Sequence, residues 1–205
     1  MSAELRDVIT QLGRSLAVLQ VRVADDGDPD LGIPPRPGRT RSPPGWIDTY
    51  RELTIEQWGT APPGMPSAFV LQYLVDPLAT VISAAATRTP FALSADPSLW
   101  SIGLEPTYLY PVAAQVRAGD HRRVDDDIER LDLAYEGYRA TADQIATALP
   151  SPTRMSSRQR LGMVEDMWEM SLARLAGAPP PERLSCCLIY SLPDCQPCAG
   201  CPRQT

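Results

Sequence analysis

Apolar residues recur at spacings of three and four through the start of the chain, at Leu5, Val8, Ile9, Leu12, Leu16 and Leu19. That period predicts an amphipathic helix over Ala3–Val23, with the Ser2 hydroxyl placed to cap its first turn. The period then stops. Asp28–Gly45 contains Pro29, Pro34, Pro35, Pro37, Pro43 and Pro44 and reads as a loop with polyproline character. Trp46–Trp58 predicts a short helix, broken by Pro62–Pro66. Ser67–Ala86 is the most apolar stretch, an expected helix with Ser67 as its cap. It is long enough to tempt a membrane-spanning reading. However, Gln72, Asp76 and Pro77 interrupt it near its middle, and an aspartate there costs about 2.5–3.5 kcal/mol in lipid. A buried helix kinked at Pro77 explains the stretch better.

The middle of the chain changes character. Phe91–Leu93, Leu99–Leu104 and Tyr108–Val112 are short apolar runs separated by Asp96, Pro97 and Pro106, and they predict two or three strands of a small sheet. Two helices follow. Val124–Leu149 carries Ile128, Leu131, Leu133, Tyr135, Tyr138, Ala142 and Ile145, and Ser156–Ala176 carries Leu161, Val164, Met167, Trp168, Met170, Leu172 and Leu175. The acidic run Asp125, Asp126, Asp127 and Glu129 sits where it complements the dipole at a helix start; a divalent-metal role for the run is the less economical reading. The Met and Trp residues of the last helix read as core filling. Gly177 and Pro179–Pro181 end that helix. The expected fold class is therefore mainly α (α+β): a helical body with a small central β element over residues 1–180, then a short cysteine-rich segment over 181–205.

Composition narrows the chemistry. The net charge is −6 and all 19 basic residues are arginine. A nucleic-acid partner needs a basic face, so none is expected. With no lysine, P-loop, Schiff-base and lysine-base chemistry are excluded. His121 is the single histidine; it lies in a charged stretch without a nucleophile motif and is expected to be solvent-exposed. Metal sites that need two histidines are excluded with it. Met1–Asp7 has no basic segment leading into an apolar run, so no secretory signal is expected. The chain is expected in the cytoplasm, without a transmembrane segment. Peripheral membrane association stays open.

In that compartment thiols stay reduced, and this bears on the C-terminal segment. All five cysteines fall within Cys186–Cys201. An odd, clustered set in a reducing compartment reads as metal or redox chemistry before disulfides. Cys198 and Cys201 have the two-residue separation that lets two thiolates reach one metal centre from a tight turn, and Gly200 supplies backbone freedom there. Pro193, Asp194 and Pro197 favour a reversal that brings this pair back to Cys186 and Cys187. Soft thiolates suit zinc and iron–sulfur clusters alike. Adjacent cysteines have diverging side chains, which suits a cluster of two irons better than one small ion. Arg183 and Arg203 flank the set. They are either ordinary solvated arginines or groups that raise a cluster potential or dock an anionic donor.

The pattern Cys186-Cys187-x10-Cys198-x2-Cys201, with Ser185-Cys-Cys-Leu-Ile-Tyr around its first half and Cys201-Pro202 at its end, resembles the hallmark of the FhuF-like family of siderophore-iron (ferric) reductases. The resemblance covers about a tenth of the chain closely. It implies that Cys186, Cys187, Cys198 and Cys201 ligate a [2Fe–2S] cluster. It also implies one-electron reduction of Fe(III) in a siderophore, of the hydroxamate class, with release of Fe(II). Cys195 is an extra cysteine, expected to be a bystander. No G-x-G-x-x-G opens a βαβ unit, so electrons are expected from an external donor, a ferredoxin or a flavin reductase. The alternative is a non-enzymatic Fe–S or zinc-stabilised binding protein, in which the metal holds the tail against the body.

Overall fold

The computed structural model describes residues 2–25, 27–31 and 45–204. The first predicted helix divides in two. Its first part is helix α1 (Ala3–Ser15), and the Ser2 hydroxyl accepts from the Leu5 N–H at 3.2 Å as expected. The chain then extends into strand β1 (Gln20–Ala24), where exposed Gln20 and Arg22 alternate with more buried Val21, Val23 and Ala24. That period of two belongs to a strand, and the β-branched valines favour it. Gly13 lets α1 lie against this strand, since a Cβ there would stand 2.7 Å from the Val21 carbonyl oxygen.

The next elements are α2 (Trp46–Trp58), which matches its predicted bounds, and α3 (Met65–Arg88). Most of the proline-rich stretch, residues 32–44, lies outside the described residues. Helix α3 starts two residues before its expected cap. Gly64 is the N-cap, and buried Ser67 instead accepts a hydrogen bond from the Ser151 hydroxyl at 2.7 Å. Its most apolar window is 78% buried within the fold, so its composition is that of a core helix. Pro77 is carried inside the helix, where it removes one backbone donor.

The central β element is present in the structure. Strand β2 (Phe91–Ala92) pairs antiparallel with β5 (Arg122–Arg123), and a second sheet has the order β1-β4-β3, with β3 at Trp100–Leu104 and β4 at Pro111–Arg117. The pair β3/β4 is antiparallel and β1/β4 parallel, in the register Val21 to Ala114 and Val23 to Val116. Strand β4 therefore begins later than the expected Tyr108–Val112. Residues Glu105–Tyr110 form a turn instead, with Glu105 N–H on the Tyr110 carbonyl at 2.8 Å and Leu109 N–H on the Glu105 carbonyl at 3.0 Å. Pro111 takes the first strand position, where a missing donor is tolerated. The weak β preference of the Ala113-Ala114-Gln115 core conceals the strand in the sequence.

Helices α4 (Asp127–Ala148) and α5 (Ser157–Ala176) complete the body. The acidic run explains itself locally. Asp126 caps α4 by accepting from Ile128 and Glu129 N–H, Asp127 pairs with Arg130, and Asp125 pairs with Arg123. Buried Arg130 also donates to the Ala86 carbonyl at 2.7 Å, satisfying the negative end of α3. Helix α3 is the centre of the fold, packed by α1, α2, α4, α5 and β4. Met163, Met167 and Trp168 of α5 are core residues, as expected, with Trp168 stacked on Tyr138 at 5.2 Å. Tyr138 donates to the Val164 carbonyl at 2.8 Å, and Ser83 and Ser171 share a buried hydrogen bond of 2.7 Å between α3 and α5.

His121 is half-buried, against expectation. Its Nδ1 accepts from the Ser94 N–H at 3.1 Å and its Nε2 donates to the Arg117 carbonyl at 2.8 Å. These two partners fix the neutral tautomer. The ring's apolar edges and its local backbone partners, not charge, decide its position.

Two outcomes follow for stability. Leu78→Ala, in the fully buried centre of α3, should cost about 2–5 kcal/mol in denaturant unfolding, whereas Ile128→Ala, 75% exposed, should stay within about 0.5 kcal/mol. Burial first of all lowers the folded pKa of His121 below 6.5. Its contribution to stability is therefore full above the unfolded value and is lost as pH falls through the window below it. His121→Gln should flatten that part of the stability–pH curve, and an unchanged slope would contradict the burial.

Candidate metal centre

The C-terminal segment is placed by one face of α5. Gly177, at φ 64°, ends the helix, and Ala178 N–H returns to the Ala173 carbonyl at 2.9 Å. The chain then runs back along the helix. Gln159, Gly162 and Asp166 recur at three and four residues and so share one face. Gln159 Nε2 donates to the Cys186 carbonyl at 3.1 Å. Gly162 gives room, since a Cβ there would lie 3.3 Å from Leu184 Cβ. Asp166, 3% exposed, accepts from Leu184 N–H at 2.6 Å, from Ser185 N–H at 3.0 Å and from the Ser185 hydroxyl.

Arg183 is buried beside it, at 5% exposure, and is not the solvated arginine that was one of its two expectations. Its guanidinium meets three partners: Asp166 Oδ2 at 3.4 Å, Gln72 Oε1 at 3.2 Å and Cys198 Sγ at 3.6 Å. The polar interruptions of the apolar helix thus have purposes. Gln72 holds Arg183, and Asp76 pairs with Arg174 of α5 at 2.7 Å. Arg203 is exposed and lies over the Tyr190 ring at 5.9 Å.

The segment between the two halves of the cysteine set doubles back as its prolines predict. Leu188, at φ 67°, turns the chain immediately after the vicinal pair, a single 3₁₀ turn covers Ile189–Ser191, and Asp194 sits at φ 60°. Cys201 N–H closes a tight turn on the Cys198 carbonyl at 3.0 Å. Gly200 is required at that turn, because its φ is 70° and a Cβ would fall 2.0 Å from the Pro181 carbonyl oxygen. Its own carbonyl accepts from Arg183 N–H at 2.7 Å, so the turn is docked on the same strap that α5 holds.

The reversal brings two of the five sulfurs together across the turn. Cys187 Sγ and Cys198 Sγ are 3.9 Å apart. Cys186 and Cys201 are close enough for each sulfur to act on the other. Cys195, half-buried, makes no sulfur contact. Burial, with the Cys198 thiol beside it, pushes the Cys187 thiol up to about 11, and burial first raises Cys186 as well. Cys187 is therefore protonated at neutral pH in the metal-free chain, and a metal must displace that proton.

A tetrahedral metal with bonds of about 2.3 Å separates two of its sulfurs by about 3.8 Å, a span that the Cys187–Cys198 pair matches. A unit of two metals would take this pair at one end and Cys186 with Cys201, carried by the same segment, at the other. A single-ion cage would need its ligands around one point, and among the described residues no three His, Cys, Asp or Glu side chains converge in that way. Donors already face the sulfur: Leu188 N–H lies 3.4 Å from Cys186 Sγ, besides Arg183 on Cys198. Such contacts stabilise negative charge at a cluster. A hollow of about 320 Å³ bounded by Arg158, Arg203 and Leu184 opens over Cys186. No family model, no curated protein and no solved structure matches the chain.

Removing one partner of a buried ion pair strands the other charge. Asp166→Ala should therefore destabilise the chain by about 3–5 kcal/mol, and adding Arg183→Met should recover only the part due to the stranded charge, since the Leu184 and Ser185 N–H groups still lose their acceptor. Gly200→Ala should free the tail without melting the body. Hydrogen exchange would show this as faster exchange at the Arg183 and Cys201 amides with protected amides in α3 unchanged.

Proposed function

We propose that this protein is a [2Fe–2S] ferric-siderophore reductase that releases Fe(II) from a hydroxamate chelate in the cytoplasm. The observation that supports the proposal is the approach of Cys187 to Cys198, with Cys186 and Cys201 next in the chain to strap residues tied to α5. When bound, a [2Fe–2S] cluster supplies one electron at a time, passing from its reduced to its oxidised state. The ferric chelate takes up that electron, and Fe(II), poorly matched to hard oxygen ligands, becomes labile. An external donor, a ferredoxin or a flavin reductase, restores the electron.

The chain's own residues have defined tasks in this proposal. Cys186, Cys187, Cys198 and Cys201 hold the two irons. Buried Cys187 and Cys201 keep water from one side, while half-buried Cys186 leaves a short path to the surface. Arg183 donates to the Cys198 sulfur, which favours the reduced, more negative state. No general acid or base is required, which agrees with a chain that has one histidine, engaged elsewhere.

The alternative, a metal that staples the tail to the body without electron transfer, has less to explain. Asp166 and Arg183 already hold the tail through protein groups alone. Oxygen-protected protein should be brown and contain acid-labile sulfide, and its reduced form should be reoxidised by a ferric tris-hydroxamate chelate. Serine at Cys186, Cys187, Cys198 or Cys201 should bleach or shift the visible spectrum, whereas Cys195→Ser should leave it intact. A colourless chain that binds one zinc and takes up no sulfide on reconstitution would remove the proposal.

A further inference from the structure

Among the described residues three non-glycines have a positive φ: Leu109 at 58°, Leu188 at 67° and Asp194 at 60°. A left-handed leucine costs roughly 1–2 kcal/mol, and strain of this kind gathers where a site needs the backbone held. Leu188 follows the ligand pair, and Leu109 separates Tyr108 from Tyr110. Both adjoin the same hollow, of about 130 Å³, whose wall includes Tyr50, Trp58, Phe69, Tyr73, Tyr108 and Leu192. Thr54 and Gln57 add neutral polar groups, and no lining residue is charged.

The rim is built to stay open to solvent. Tyr108 is 56% exposed and Trp58 36% exposed, two large rings open to solvent in one lining. The Tyr108 turn is held rigidly: the Glu105 carboxylate accepts from Thr107 N–H at 2.9 Å and from Tyr108 N–H at 2.5 Å. The floor is an aromatic cluster, with Tyr50 stacked on Phe69 at 5.6 Å and edge-on to Tyr73 at 5.7 Å, and with the two hydroxyls 3.4 Å apart. Cys187 lies two residues before Ile189, a lining residue of this hollow. The far wall, Ile189 and Leu192, belongs to the loop that joins the two halves of the cysteine set.

We infer that this aromatic hollow receives the ferric chelate, and that the chelate it takes is an uncharged one, of the tris-hydroxamate kind. The inference rests on the reductase proposal and locates its substrate beside the loop that follows Cys187. A cavity near 150 Å³ holds one benzene-sized group, so the hollow takes an apolar limb of the chelate. The remainder lies across Trp58 and Tyr108. An anionic chelate would bring charge against a wall with nothing to pair it, a penalty a neutral one avoids.

The test uses the cluster-loaded full chain and the gallium(III) complex of a neutral tris-hydroxamate, which has the charge and shape of the ferric chelate but takes no electron. Calorimetry and Trp fluorescence should show saturable binding of one complex per chain. Trp58→Ala and Tyr108→Ala should each weaken it by about tenfold or more, with the cluster's visible spectrum unchanged. The assignment is overturned if affinity follows Arg158→Ala or Arg203→Ala instead, or if an anionic gallium tris-catecholate binds as tightly as the neutral complex. Failure of the two ideas is separable. A chain with an intact cluster spectrum that ignores the gallium complex removes the hollow and leaves the reductase. A chain that binds the complex through Trp58 and Tyr108 but builds no cluster keeps the hollow and removes the reductase.

Discussion

The tail of this protein depends on one buried ion pair. Asp166 and Arg183 are each nearly inaccessible, and each spends its hydrogen-bonding capacity on a different part of the segment that carries the cysteines. Asp166 gathers the N–H groups of Leu184 and Ser185 and fixes where the vicinal cysteines begin. Arg183 meets Gln72 of α3, the Cys198 sulfur and, through its backbone N–H, the Gly200 carbonyl. Desolvating such a pair is unfavourable unless nearly every donor and acceptor finds a partner. That requirement makes the arrangement specific: few other paths for residues 181–203 would satisfy both groups.

This constraint explains features of the body that look out of place by themselves. A core helix as apolar as α3 has little use for an amide and a carboxylate in its middle turns. Gln72 and Asp76 reach Arg183 and Arg174 respectively, and so join α3 to the strap and to α5. Gly162 on α5 and Gly200 in the tail remove side chains where backbones must approach closely. The result is a body whose most apolar helix is also a supporting element for the cysteine-bearing segment.

The same arrangement gives the cysteine set two unlike faces. Cys186 lies toward a hollow bordered by Arg158 and Arg203. Ile189 and Leu192, on the loop that follows Cys187, line the uncharged aromatic hollow. One face favours an acidic or anionic contact and the other a neutral, partly apolar one.

Much of this was legible along the chain because it depends on local rules. Helical periods and caps place α2, α4 and α5 within a few residues, and the cysteine spacing with its turn-forming prolines marks the site and its reversal. The sequence misleads where a non-local partner decides. Residues Gln20–Ala24 extend the spacing of α1 well enough to pass for helix, but β4 offers them a parallel ladder ninety-odd residues away in the chain. His121 looks solvated in its charged run until Ser94 and Arg117 supply a partner for each ring nitrogen. Arg183 looks like any flanking arginine, because burial of a charge is a property of what surrounds it in space. The gathering of five cysteines in one short segment is written in the sequence; the approach of Cys187 to Cys198, and the aromatic hollow against the loop between them, exist only once α2, α3 and α5 have packed, because they depend on partners distant in the chain.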